Sequence, residues 1–174
     1  PKAERRARIE ELLDYVGLAE RRNDSVKTLS GGMKRRLLIV RALVHRPQVL
    51  FMDEPTVALD PQVRRRIWAL IRSLHASGVT VVLTTHYIEE AENLCSRVAV
   101  INEGRLVKTG CPEALCRQLG SFAAEWDAQG ARQYRFFASR SEAALFAARL
   151  DCAASIRSTN LEDVFIELTG RSIK

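Results

Sequence analysis

The stretch "QVLFMDEPTVALDP", residues 48–61, runs an apolar segment straight into two adjacent carboxylates, Asp53 and Glu54, and then a proline. Neighbouring carboxylates repel each other, so a cation or a proton normally compensates them. Residues 49–52 read as a strand buried on both faces, and so does "VTVVLTT", residues 79–85. Between them Pro61 opens a helix at its first turn, with Val63, Ile67, Leu70, Ile71 and Leu74 inward and Gly78 as the stop. Strands that alternate with helices and lack in/out alternation imply an α/β fold with a parallel sheet covered on both faces. Ligands of such sheets gather beyond the carboxyl ends of the strands. Asp53 and Glu54 end one strand and His86 follows the next. A Mg²⁺ ion would relieve the repulsion: Asp53 would hold it through water, Glu54 would polarise an attacking water, and His86 would contact a leaving phosphoryl oxygen. The plainer alternative is that the acids cap a helix and His86 is an ordinary loop residue.

Upstream, "LSGGMKRR" (residues 29–36) places Ser30 as an N-cap, followed by Gly31 and Gly32 at a helix start. Bare backbone N–H groups and the positive end of the helix dipole make that an anion site. The glycines remove side chains that would block a phosphate, although Ser-Gly-Gly is also an ordinary flexible turn. The helix shows Met33, Leu37, Val40 and Val44 on one face and closes before Pro47. Before it, residues 3–16 form a helix with an Ile9, Leu12, Leu13 and Val16 stripe and Gly17 as its stop, and residues 21–27 form a loop.

Downstream, residues 87–95 read as a short helix, and "VAVI" and "RLVKTG" as a hairpin around Asn102-Glu103-Gly104. After residue 111 the texture changes. A short helix to Leu119 precedes strands at residues 122–126 and 133–138, a helix at 141–149, a strand at 152–157 and a helix at 161–169. That order predicts a small α+β appendage over residues 112–174, distinct from the core over residues 1–111. In the last helix, Leu161, Val164, Phe165 and Leu168 are expected to pack on the small sheet, while Glu162 and Asp163 favour the helix dipole.

The chain has 174 residues, the size of one domain with an appendage, with 47% apolar and 28% charged residues. No apolar run approaches the roughly 18 residues of a membrane helix, and residues 1–8 have no apolar region behind them to make a signal peptide. The net charge of +6 is spread in small clusters, which reads as solvated helix faces or as contacts with phosphates, nucleic acid or anionic lipid. The four cysteines form no CxxC pair and have no histidines at zinc spacing, so they read as buried or idle thiols.

Taken in order, "LSGGMKRR", "VLFMDEPTVALD" and "TTHYIEEAE" resemble the ATP-binding subunit of ABC transporters, over residues 28 to about 112. The resemblance implies a P-loop NTPase-like core and cofactors ATP and Mg²⁺. By it, Ser30, Gly31 and Gly32 belong to the signature motif that touches the γ-phosphate of ATP held by a partner subunit. Asp53 matches the Mg²⁺-coordinating acid, Glu54 the catalytic base and His86 the switch histidine. Ala58, Leu59 and Asp60 match the loop that crosses the dimer interface. The tail "STNLEDVFIELTG" resembles the end of the ABC-2-type exporter ATPases. Met33 stands where the family usually has glutamine, and Val57 where serine or threonine is common. The larger departure is that GxxxxGK[ST], the loop whose amides and lysine cradle the phosphates, does not occur in these residues. The adenine-stacking aromatic and the glutamine loop would also lie upstream. The chain therefore resembles the C-terminal part of such an ATPase, beginning in its helical subdomain.

Three functions follow as expectations. The first is an exporter ATPase, an ATP hydrolase whose isolated C-terminal part is inactive. Its partners are a second ATPase subunit and an ABC-2-type permease, which holds it on the cytoplasmic face of the membrane without a membrane segment of its own. The second is a non-catalytic module that offers the signature motif in trans. The third, a nucleic-acid-associated ABC ATPase, has only the charge in its favour. Coiled-coil insertions and a second cassette are lacking, so no nucleic-acid partner is expected. The appendage is expected to be regulatory or dimer-contacting, or else a stabilising cap.

Overall fold

The computed structural model describes residues 2–128 and 130–170. It divides into two compact units, Pro1–His86 and Tyr87–Lys174, a division upstream of the change of texture at Pro112.

In the first unit, α1 (Lys2–Tyr15) buries Leu12 and Leu13 and ends at Gly17, whose φ of 67° is the left-handed conformation glycine adopts freely. Two short 3₁₀ turns, Ala19–Arg21 and Val26–Thr28, occupy the predicted loop. Helix α2 (Gly31–Leu43) starts where Ser30 accepts a hydrogen bond from Met33 N at 3.3 Å, as expected. Its fully buried residues are Ile39, Val40 and Leu43. Of the expected stripe, Val40 is buried and Met33, Leu37 and Val44 are half-buried. Leu37, Val40 and Val44 face an apolar groove shared with Ile9, Leu13 and Leu18, which the α1 and α2 stripes line without filling.

Strand β1 (Val49–Asp53) pairs in parallel with β2 (Thr80–Thr84), in register from Val49 beside Thr80 to Asp53 beside Thr84. Helix α3 (Pro61–Ala76) lies between them in sequence and packs on β2, burying Ile67, Trp68, Leu70, Ile71 and Leu74. Val63, expected inward, is half-buried.

The sheet is parallel, but the expectation that it is covered on both faces is wrong. Leu50 and Met52 are buried on one face, while Val49 (49%), Phe51 (76%) and Val82 (45%) are exposed on the other. An unbroken apolar run implies burial on two sides, but no described element covers the second one.

In the second unit, α4 (Ile88–Leu94) precedes the hairpin β3 (Val98–Asn102) and β4 (Arg105–Gly110). Its turn places both Glu103 (φ 51°) and Gly104 (φ 73°) in the left-handed region, the geometry that matches strand twist in a tight hairpin. Helix α5 (Pro112–Leu119) leads to an antiparallel sheet ordered β6-β5-β7, from β5 (Phe122–Ala128), β6 (Ala131–Phe137) and β7 (Ala154–Ser158).

Helix α6 (Arg140–Ala147) covers this sheet, with the Phe146 ring tilted against Trp126 and Phe137 at centroid distances of 5.2 Å and 5.3 Å. That corrects the expected packing of α7 (Leu161–Thr169). The apolar stripe of α7 meets α5 and α4 instead, where Leu161 and Val164 join Leu115 and Cys116. A stripe specifies a buried face but not which apolar surface buries it.

Asp163 also does more than favour a dipole. It closes a capping box with Asn160 and receives two hydrogen bonds of 2.7 Å from Arg157, which also reaches Glu125 at 3.1 Å. These two carboxylates hold the Arg157 pKa above its usual value.

Candidate functional site

Parallel pairing in register brings the ends of β1 and β2 side by side. The Thr84 hydroxyl therefore donates to Asp53 Oδ1, and Glu54 N donates to Thr84 O at 3.0 Å. One residue past the strand, Glu54 takes φ 48°, left-handed backbone that costs a residue with a side chain about 1–3 kcal/mol. This turn directs the half-buried Glu54 carboxylate to His86, where Oε2 and Nδ1 lie 2.9 Å apart. Asp53, Glu54 and His86 thus converge on one strand edge.

Sequence reasoning passed over two residues here. Thr84 lies in the quoted motif but drew no notice, because only the register of β1 on β2 makes it the neighbour of Asp53. Arg35 was one of several basic residues. Its guanidinium reaches back from α2 to donate to the main-chain carbonyls of both Asp53 and Glu54.

Ser30, Gly31 and Gly32 form the N-terminus of α2, the first two exposed and Gly32 half-buried, and the Ser30 side chain caps its own helix. A side chain at Gly31 would meet nothing within 4 Å, so its backbone is open to an incoming anion. One at Gly32 would press on Leu59, 3.3 Å away. Contact thus joins the glycine turn to the loop before α3.

In that loop Ala58 has φ 58°, Leu59 is buried, and Asp60 caps α3 by accepting from Gln62 N at 3.1 Å and Val63 N at 3.0 Å. Asp60 therefore has a local structural task whatever else it touches.

The donor set at the strand edge is hard oxygen: the Asp53 carboxylate, the Glu54 carboxylate and the Thr84 hydroxyl. No cluster of three or more metal-binding acids, histidines or cysteines occurs among the described residues. One carboxylate with a hydroxyl beside it suits Mg²⁺, which keeps most of its waters and shares its remaining ligands with phosphate. The residues present fit that ion and an anion at α2. None of the four cysteines is bonded to another; Cys95 and Cys116 have thiol pKa values raised chiefly by burial, Cys116 to about 11.

Residues 2–57 match the family model described as ABC transporter. The chain is 40% identical over 193 residues to the Nod factor export ATP-binding protein I of Paraburkholderia xenovorans, covering 99% of this chain and 64% of that protein. It is 48% identical over 117 residues to the linearmycin resistance ATP-binding protein LnrL of Bacillus subtilis, covering 67% of this chain and 38% of that one. It thus spans less than two thirds of the length of these relatives. Among solved structures, an ATP-binding subunit of an ABC transporter superposes with a TM-score of 0.61 at 31% identity, over 68% of this chain and 49% of that one. An ATP-binding cassette of an ABC transporter in its ADP conformation gives 0.55 at 25% identity, over 64% and 44%. By its motifs, its fold and these relatives, the chain is similar to the ATP-binding proteins of the ABC transporter family.

Proposed function

We propose that these residues form the carboxylate and signature portion of an ATP-hydrolysing subunit of an export transporter of the ABC-2 type. The observation that carries this reading is the strand edge: Glu54 Oε2 stands 2.9 Å from His86 Nδ1, next to an Asp53 held by Thr84. Glu54 takes the proton of the attacking water, and His86 orients Glu54 and the transferring phosphoryl group. Asp53 would hold Mg²⁺ through water, and the bound ion supplies charge stabilisation to the phosphates. Ser30, Gly31 and Gly32 offer amides to the γ-phosphate of ATP bound by a second ATPase subunit. Asp60 lies in the loop facing that subunit. A permease subunit holds the pair at the cytoplasmic face of the membrane; no helix among the described residues is long and apolar enough to cross it.

With no GxxxxGK[ST] loop in its sequence, the 174-residue chain by itself is inactive. A second reading, in which the chain only lends its signature motif in trans to a complete subunit, is favoured by the open backbone at Gly31. Residues 112–174 act outside the chemistry, in dimer contact or regulation.

Glu54→Gln in a complete subunit carrying these residues tests the catalytic reading. The amide keeps the shape but accepts no proton, so hydrolysis falls by about 10² or more while ATP binding persists. Turnover within about threefold of the parent assigns the base elsewhere.

A further inference from the structure

We propose that Arg35 is a positioning residue for Glu54, joining the helix that starts at Ser30, Gly31 and Gly32 to the carboxylate at the end of β1. The inference rests on the reading of Glu54 as the base. Arg35 donates to the carbonyls of Asp53 and Glu54, two consecutive peptide groups. In an extended strand successive carbonyls point to opposite sides, so one guanidinium cannot serve both. They converge here because Glu54, the residue between them, is left-handed at φ 48°. The residue after it is Pro55, and a position before proline disfavours helical backbone. Such a conformation persists only where its surroundings impose it. Arg35 is a named contact that does so from outside the turn, and Glu54 N bonded to Thr84 O holds the other side.

The chemistry of the side chain suits this role. A guanidinium presents several N–H donors in a rigid plane and stays charged, whereas an ammonium on a flexible stem is a point charge. The neighbouring Arg36 is engaged differently, donating from Nη1 to Val16 O at 2.7 Å at the end of α1. Two adjacent arginines thus divide the work: Arg36 fastens α2 to α1, and Arg35 fastens α2 to the Asp53–Glu54 turn. Arg35 lies less than two helical turns from the Ser30 cap on the same helix. A shift of α2 when its N-terminus takes up an anion carries Arg35 with it, and the Glu54 carboxylate follows.

The test has two arms. In a complete subunit, Arg35→Ala lowers kcat by about 10- to 10²-fold, the loss expected when a reacting group is displaced by about 1 Å. KM stays within about twofold, Arg35→Lys recovers part of kcat, and Arg36→Ala changes stability with kcat preserved. In the 174-residue chain, ¹⁵N-resolved NMR shows the Glu54 amide and His86 ring signals displaced by Arg35→Ala and unmoved by Arg36→Ala. If Arg35→Ala does not fold, Arg35→Lys carries the same comparison. Unchanged Glu54 and His86 signals, or parental kcat in Arg35→Ala beside an inactive Glu54→Gln, overturn the proposal. So does a rise in KM with kcat intact. Persistent hydrolysis in Glu54→Gln would refute the base assignment alone, and the NMR arm would still decide whether Arg35 positions the turn.

Discussion

Thr84 holds Asp53 through a single hydroxyl, so at the scale of one residue its loss has a defined consequence. Thr84→Val keeps the volume and the β-branched shape but frees Asp53 Oδ1. In a complete subunit we expect hydrolysis to fall by about tenfold, with the effect largest at low Mg²⁺, as read from the Mg²⁺ dependence of the rate. Cys116 offers a second test at this scale. Burial first, then the nearby Glu92 and Asp163, push its thiol from 9.0 up to about 11, so the folded state holds that proton more tightly than the unfolded chain does. The stability this contributes is complete below about pH 9 and is lost as pH rises towards about 11. Denaturant midpoints across that window should fall, and Cys116→Val should lack this component of the fall. The half-exposed or exposed Cys95, Cys111 and Cys152 should be alkylated before Cys116.

Caps decide the behaviour of the elements. Asp60→Ala removes the only side-chain acceptor described for the first amides of α3 and should cost about 0.5–2 kcal/mol in the chain without nucleotide. Asp60→Asn keeps an acceptor and should restore most of that stability. Any remaining loss of hydrolysis in Asp60→Asn would then belong to the interface role rather than to the fold. In the second unit, Arg157 bridges β7 to the start of α7 through Asp163, whose carboxylate is 3% exposed, and also meets Glu125. Arg157→Met would leave that carboxylate without its charge partner and should cost about 3 kcal/mol by urea unfolding. If instead the variant unfolds within about 0.5 kcal/mol of the parent, the bridge contributes nothing to joining strand and helix.

For the whole molecule, the open face of β1 and β2 dominates. Val49, Phe51 and Val82 present apolar surface to water beside strand edges that no described strand pairs. Such faces and edges promote association. Sedimentation of the 174-residue chain should show concentration-dependent self-association, reduced by Phe51→Thr; a concentration-independent monomer would refute this. Titration of the same chain with ATP·Mg²⁺ should show no low-micromolar binding, since the amides and lysine of a phosphate loop supply most of the charge neutralisation around a triphosphate.

Local signals determined much of this protein. Ser30 announces a helix start because a short polar side chain beside free amides caps whatever surrounds it. Asn102-Glu103-Gly104 announces a hairpin because its turn needs left-handed backbone. The juxtaposition of Asp53, Glu54 and His86 was legible for a similar reason, since strand ends in a parallel sheet share one edge. Tertiary structure alone decided what lies across space. It put α6 rather than α7 on the small sheet and left Phe51 exposed in a run that reads as core. It also aimed Arg35 at two carbonyls and set Thr84 beside Asp53. Apolar periodicity states that a face is buried, and charge states that a side chain seeks a partner. Neither specifies the partner, because that choice depends on which distant segments the finished fold brings within contact distance.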